Sequence, residues 1–117
     1  YLAREMVGDF QISRAGWIGD YEDPNTFLDT LRPNRGNNKT GWENVEYDQL
    51  IELANSTNDQ NERYEIFMKA ERLLIDEMPI IPIYTYVRQY QLSQDVKGWD
   101  PNILDVHHPK FVYLKRD

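Results

Sequence analysis

The feature that most constrains this chain is the junction Arg14-Ala15-Gly16-Trp17-Ile18-Gly19-Asp20-Tyr21-Glu22-Asp23-Pro24. Before it, Asp9-Phe10-Gln11-Ile12-Ser13 alternates polar and apolar residues, which predicts a strand with one buried face continuing to Trp17. After it, Phe27, Leu28 and Leu31 recur at helical spacing, which predicts one short amphipathic helix from Asn25 to Leu31. Between the two lies a turn crowded with acids and closed by Pro24. A charge at such a junction is held by backbone on both sides, and Asp20 is the leading candidate for a functional residue. Glu22 and Asp23 fit an acidic, solvated turn, with Asp23 capping the helix that follows Pro24.

The rest of the chain reads as alternating helical and extended pieces. Leu2 to Met6 is a short helical end stopped by Gly8. Arg32 to Gly41 holds no apolar anchor and many turn-forming residues, so an exposed, mobile loop is expected, with Trp42 pinning its far end. Val45, Tyr47, Leu50, Ile51 and Ala54 mark a second helix, ended by Asn55-Ser56-Thr57-Asn58. A third and longer helix starts near Asp59 or Gln60 and runs to about Glu77, with Tyr64, Phe67, Met68, Leu74, Ile75 and Met78 as its apolar stripe, and Pro79 blocks its continuation.

Ile80 to Val87 is rich in β-branched and aromatic residues, and its internal Pro82 restricts it to a strand edge or a strand start. Arg88 to Leu92 continues as a second extended piece, Val96 to Pro101 is a turn anchored by Trp99, and Lys110 to Lys115 is the last strand candidate. The expected class is α/β, with mixed sheet elements and about three helices.

Composition excludes several functions. At 117 residues the chain is one domain at most, and 40% hydrophobic with 13% aromatic residues is the content of a folded chain. A net charge of -7 leaves no Lys/Arg stripe to displace phosphate counterions, so no nucleic-acid partner is expected. The absence of cysteine removes thiol chemistry, iron–sulfur clusters and Cys-type zinc sites. No apolar run approaches the length of a membrane span. His107 and His108 are neighbours whose rings point to opposite sides of an extended segment, so no metal and no cofactor is expected. The opening Tyr1-Leu2-Ala3-Arg4-Glu5 reads like a helix entered midway, as in a fragment whose targeting signal lies elsewhere.

Taken in series, the residues carry a resemblance. Gly16-Trp17-x-x-Asp20-Tyr21-x-x-Pro24, Phe27-Leu28, Gly36-Asn37-Asn38 before Trp42, Glu46-Tyr47-Asp48-x-Leu50-Ile51, Ala70-Glu71 and Met78-Pro79-Ile80-Ile81-Pro82-Ile83-Tyr84 follow one another over nearly the whole chain. This order resembles the C-terminal part of the bacterial oligopeptide- and dipeptide-binding proteins, extracytoplasmic solute-binding components of ABC importers. The resemblance implies a two-lobed protein closing on an extended peptide. Residues 1–87 would be the late part of the second lobe, and 88–117 a hinge crossing with a strand returning to the first lobe.

It further implies that Asp20 holds the ligand's α-ammonium and that the strand at Gly16 and Ile18 pairs with the peptide main chain. Arg14 would lie near the ligand's C-terminal carboxylate and Tyr86 at the cleft. Trp17 joins them because it adjoins Asp20, although tryptophans such as Trp42 and Trp99 are ordinarily loop or core anchors. Gly19 stands where the family commonly has Ala. The implied partners are a peptide or other small solute and a membrane permease. An isolated segment would self-associate through surface made for the missing lobe, and the location would be periplasmic or otherwise extracytoplasmic, with or without a lipid anchor.

Peptide carriage of this kind has a physical basis in what all peptides share. Strand addition reads the backbone, and an acid shielded from water reads the ammonium. The alternatives are a non-peptide cargo in the same fold, such as a nickel chelate, and a hydrolase using Asp20 with Glu22 or Asp23 as an acid/base pair. Against hydrolysis stand the lack of a Ser/His/Asp series or phosphate-cradling Gly loop, and a histidine count of two, both near the C-terminal end.

Overall fold

The computed structural model describes residues 2–33, 37–102 and 104–116. Its elements are α1 (Leu2–Met6), α2 (Asn25–Leu28) continued by a 3-10 turn over Asp29–Leu31, α3 (Val45–Ser56), α4 (Gln60–Glu77), β1 (Val96–Lys97), a 3-10 turn over Pro109–Phe111, and β2 (Tyr113–Leu114). They fall into two compact units, residues 1–82 and 83–117.

The first unit is built on α3 and α4. Both start on a side chain that satisfies an otherwise orphaned amide: Asn44 Oδ1 accepts from Tyr47 N at 2.9 Å, and Asp59 Oδ1 accepts from Glu62 N at 2.8 Å. Helix α4 stops where Met78 turns left-handed (φ 52°), its amide returning to the Leu74 carbonyl before Pro79. Tyr47, Ile51 and Ala54 of α3 bury against Ile66, Phe67, Ala70 and Leu74 of α4, and Leu28 and Leu31 close the core. Trp42 packs at its edge, its ring 4.9 Å from Tyr47 and its indole donating to Glu77 Oε2 at 2.6 Å, so it pins the loop end as expected.

The stripe expected on α4 is turned round the helix. Phe67 and Leu74 are buried, but Tyr64, Met68, Ile75 and Met78 are exposed while Ile66 and Ala70 are buried. Helix α4 carries apolar residues on more than one face, so periodicity alone could not choose the face that α3 covers. The outward residues Tyr64 and Met68, with Pro24, Phe27 and Leu28, line a shallow apolar groove of about 410 Å³.

Two polar clasps join α2 to α3. Tyr47 Oη donates to the Leu28 carbonyl at 2.7 Å, and burial, with the charges of Asp29 and Asp48, pushes its pKa up. Arg32 donates to Asp48 Oδ1 (2.9 Å), Glu52 Oε1 (2.8 Å) and Asp29 Oδ1 (3.4 Å), and is itself buried. Burial alone would lower the Arg32 pKa, but the hydrogen bonds to Asp48 and Glu52 more than reverse it. The expectation of an exposed loop from Arg32 is thus corrected at its start. Asn38 also ties the loop by donating to the Leu31 and Trp42 carbonyls, both at 2.8 Å. Asn34, Arg35 and Gly36, the last in the family-like series, lie outside the described residues.

The strands expected over Asp9 to Trp17 and Ile80 to Val87 are not formed, and Arg88 to Leu92, expected as a second extended piece, joins no ladder either. Among the described residues, no backbone hydrogen bond joins these stretches to another segment beyond Asp9 N to the Arg4 carbonyl. Extended residues become a strand only with a neighbour to share their N–H and C=O groups, which local pattern cannot supply. Lys110 to Lys115 is half as expected, a 3-10 turn followed by β2, and the turn expected over Val96 to Pro101 begins instead as β1. These two strands pair antiparallel, Val96 with Leu114 and Lys97 with Tyr113.

In the second unit, Gly98 (φ +76°) follows β1 so closely beneath Phe111 that a Cβ there would stand 1.9 Å from the Phe111 carbonyl oxygen. Trp99 stacks on His107 at 3.8 Å with Tyr90 edge-on at 5.8 Å, and Asp105 holds both His107 (2.8 Å) and Arg88 (2.9 Å).

Three substitutions test this packing. Ile51→Ala should cost about 2–5 kcal/mol through the cavity it leaves, and Tyr47→Phe about 1–3 kcal/mol by orphaning the Leu28 carbonyl. Urea titrations followed by helical circular dichroism read both, and unchanged midpoints would contradict the packing. Gly98→Ala should disturb the tryptophan near-ultraviolet signal of the second unit and leave the helical signal intact.

Candidate functional site

The acidic turn is held from within. The Asp20 amide donates to Thr26 Oγ1 at 2.9 Å, and Thr26 is 4% exposed. The Thr26 amide in turn donates to the Asp23 carbonyl (3.1 Å), and the Asp23 amide to the Tyr21 carbonyl (3.0 Å). Asp23 Oδ1 accepts from the Asn25 amide at 2.9 Å, which is the capping role expected of it, and Asn25 Nδ2 donates to Tyr21 Oη at 3.0 Å. At Gly19 a Cβ would lie 3.1 Å from both Thr26 Cγ2 and Phe27 Cζ, so an alanine there would ask those side chains to give by a few tenths of an ångström.

Asp23 is not merely solvated. Arg63, on α4, donates to both of its oxygens, Nη1 to Oδ2 at 2.5 Å and Nη2 to Oδ1 at 2.8 Å, and its guanidinium lies 4.6 Å over the Phe67 ring. The bidentate charge-assisted geometry is the strong form of this contact. The hydrogen bond from Arg63 holds the Asp23 carboxyl below its ordinary value of 3.8 against the opposing effect of burial, and the same bond raises Arg63. Nothing in the local sequence pairs residue 63 with residue 23, so Arg63 carried no signal that sequence reasoning could use.

The residues expected to bind ligand sit as follows. Asp20 is exposed, and among the described residues its carboxylate has no hydrogen-bond or ion-pair partner. Of the turn's three acids, Asp23 is thus committed internally, whereas Asp20 and Glu22 are exposed. Gly16, Trp17 and Ile18 are exposed beside Asp20 in sequence, Trp17 at 41% and Ile18 at 74%. Arg14 lines an open concavity of about 900 Å³ with Arg4, Glu5, Asp9 and Ser13. Asp20 lines neither this concavity nor the apolar groove. Tyr86 belongs to the second unit, 61% exposed, with its ring 4.8 Å edge-on from Tyr84.

Among the described residues no group of three or more His, Asp or Glu stands ready to hold a metal ion. His107 stacks on Trp99 and His108 sits edge-on to Phe111, so the two rings have different surroundings. No helix among the described residues is long and apolar enough to cross a membrane.

No family model matches the chain. It is 45% identical to the oligopeptide-binding protein OppA of Bacillus subtilis over 99 residues, and 43% identical to the dipeptide-binding protein DppE of the same organism over 98. Each match covers 84% of this chain and 18% of the relative. In three dimensions it is similar to the murein tripeptide-binding protein MppA of Escherichia coli, with a TM-score of 0.85 at 28% identity, over 99% of this chain and 23% of that structure. The unliganded open form of MppA gives a TM-score of 0.80 at 31% identity, over 97% of this chain and 22% of that structure. The chain therefore spans about a fifth of the length of the proteins it matches.

The Asp23–Arg63 pair sets a pH dependence. Because the folded-state pKa of Asp23 is depressed, its contribution to stability is complete above the ordinary carboxylate value and is lost as pH falls through the lowered folded value. Thermal unfolding from about pH 6 down to about pH 2 should therefore fall more steeply for the wild-type chain than for Asp23→Asn. Parallel curves for the two would show that the pair contributes nothing.

Proposed function

Since this chain belongs to the family of bacterial oligopeptide- and dipeptide-binding proteins, of which it spans about a fifth, we propose that it forms part of the solute-binding component of an extracytoplasmic ABC importer. In this proposal it contributes one wall of a cleft that receives an extended peptide, and it carries out no catalysis. The observation that carries the proposal is the pairing of an open backbone with an uncommitted acid. Among the described residues, Ala15 to Gly19 share no backbone hydrogen bond with another segment, and they lead directly into Asp20, whose carboxylate is unpaired while its amide is fixed.

Each part has a task. The backbone at Gly16 and Ile18 adds a peptide as a further strand, which reads main chain rather than sequence. Asp20 takes the peptide's α-ammonium, the one cation that every unblocked peptide carries. Arg14 lies toward the ligand's carboxylate, and Trp17 presents aromatic surface to the cargo; Tyr86, in the second unit, is exposed aromatic surface of the same kind. A charged contact of this kind gains strength once a second lobe excludes water from it.

The test is a calorimetric titration of the two-lobed protein that carries this segment with a short unblocked peptide. Losing one partner of a buried, hydrogen-bonded charge pair costs roughly 2–5 kcal/mol, and about 1.4 kcal/mol is a factor of ten. Asp20→Asn should therefore weaken binding at least tenfold. Equal affinity for the wild type and the variant would remove Asp20 from the site.

A further inference from the structure

Asp20 does not stand on a free loop. Its amide is bonded to Thr26 Oγ1, the Thr26 amide to the Asp23 carbonyl, and the Asp23 carboxylate to both arms of Arg63, forty residues further along the chain. Each step is short, between 2.5 and 3.1 Å, and Thr26 is buried at the middle of the relay. The end on α4 is anchored, because Arg63 is stacked over the buried ring of Phe67 and rooted in a helix whose face forms the core. Asp23 and Arg63 are each only about a quarter exposed or less (24% and 21%), so water competes weakly for either partner.

We propose that Arg63 and Asp23 are positioning residues that set the preference of the site for a free α-amino group. This rests on the assignment of Asp20 to the ligand's ammonium. A carboxylate discriminates an ammonium from an acetylated nitrogen only if it is held where the ammonium arrives, and a displacement of about 1 Å already costs much of an oriented contact. The backbone-pairing part of recognition, at Gly16 and Ile18, lies upstream of the relay and does not depend on it. Loosening the Asp23–Arg63 pair should therefore damage recognition of the ammonium and spare recognition of the main chain. A guanidinium is required because it engages both carboxylate oxygens at once, which an ammonium on a flexible stem does not do.

The experiment compares, in the two-lobed protein carrying this segment, the affinities for trilysine and for N-acetylated trilysine by calorimetry, in the wild type and in Asp20→Asn, Asp23→Asn, Arg63→Lys and Arg63→Ala. The expected result is a wild-type preference of tenfold or more for the free amine, lost in Asp20→Asn. In Asp23→Asn and Arg63→Lys the preference falls at least threefold, with affinity for the acetylated peptide changed less than twofold. Arg63→Lys keeps the charge and is the variant to rely on if Arg63→Ala does not fold. If Asp20→Asn retains the full preference, or if the wild type binds neither peptide, the assignment of Asp20 fails and this inference falls with it. If Asp20→Asn loses the preference while Asp23→Asn and Arg63→Lys keep it, or lose affinity equally for both peptides, the relay is structural only and the inference is overturned while the assignment of Asp20 stands.

Discussion

The first unit depends on arginines that reach across long stretches of sequence to gather acids. Arg63 on α4 grips Asp23, and Arg32 at the end of the α2 segment gathers Asp48 and Glu52 of α3 together with Asp29. In a chain with a net charge of -7, an acidic turn facing acidic helices would repel. The Arg32 guanidinium is placed where three carboxylates converge and that of Arg63 against both oxygens of one, and each is mostly withdrawn from water, which is where ion pairs gain or lose most. The Arg32 side chain is 10% exposed and that of Arg63 21%. These clasps also fix how the acids divide their tasks. Asp23, Asp29 and Asp48 are spent on the fold, and Asp20 is left with its carboxylate open to solvent.

The helices were legible because their signals are local. Apolar spacing, the residues that cap, and Pro79 after the long helix placed α1, α3 and α4 nearly to the residue, and the Asn25 to Leu31 segment appears as a helical turn continued by a 3-10 turn. Which face of α4 is buried was not legible, because Tyr64 and Met68 carry apolar surface as Ile66 and Ala70 do and only the position of α3 decides between them. The two absent strands share one cause. Alternation and β-branched residues mark a chain as extended, but a ladder needs a partner, and none of the described segments supplies one to residues 10–18 or 80–92. The reverse holds for β1, whose two residues pair with β2 because the chain returns there through the turn at Gly98, a long-range event with no local mark.

The geometry of the candidate site was legible only in part, and for related reasons. The acid at Asp20, the glycine before it and the proline that closes the turn all stand in one short stretch, so the junction could be singled out from sequence. What holds the junction could not. Thr26 was a residue inside an expected helix, and Arg63 one of several charged positions on α4, until folding brought them to the turn. The second unit repeats the lesson: Trp99 was expected as an anchor, yet its stacking partner His107 and the Asp105 bridge to Arg88 join positions that sequence separates.

The central claim is that an acid fixed at the end of an open backbone stretch takes the ammonium of a peptide lying alongside it. A crystal structure of the two-lobed protein with a bound unblocked peptide addresses this most directly. The account predicts the peptide nitrogen about 2.7–2.9 Å from a carboxylate oxygen of Asp20, with the peptide main chain bonded at Gly16 and Ile18. A peptide whose ammonium is held by another acid, with Asp20 facing bulk water, would contradict it.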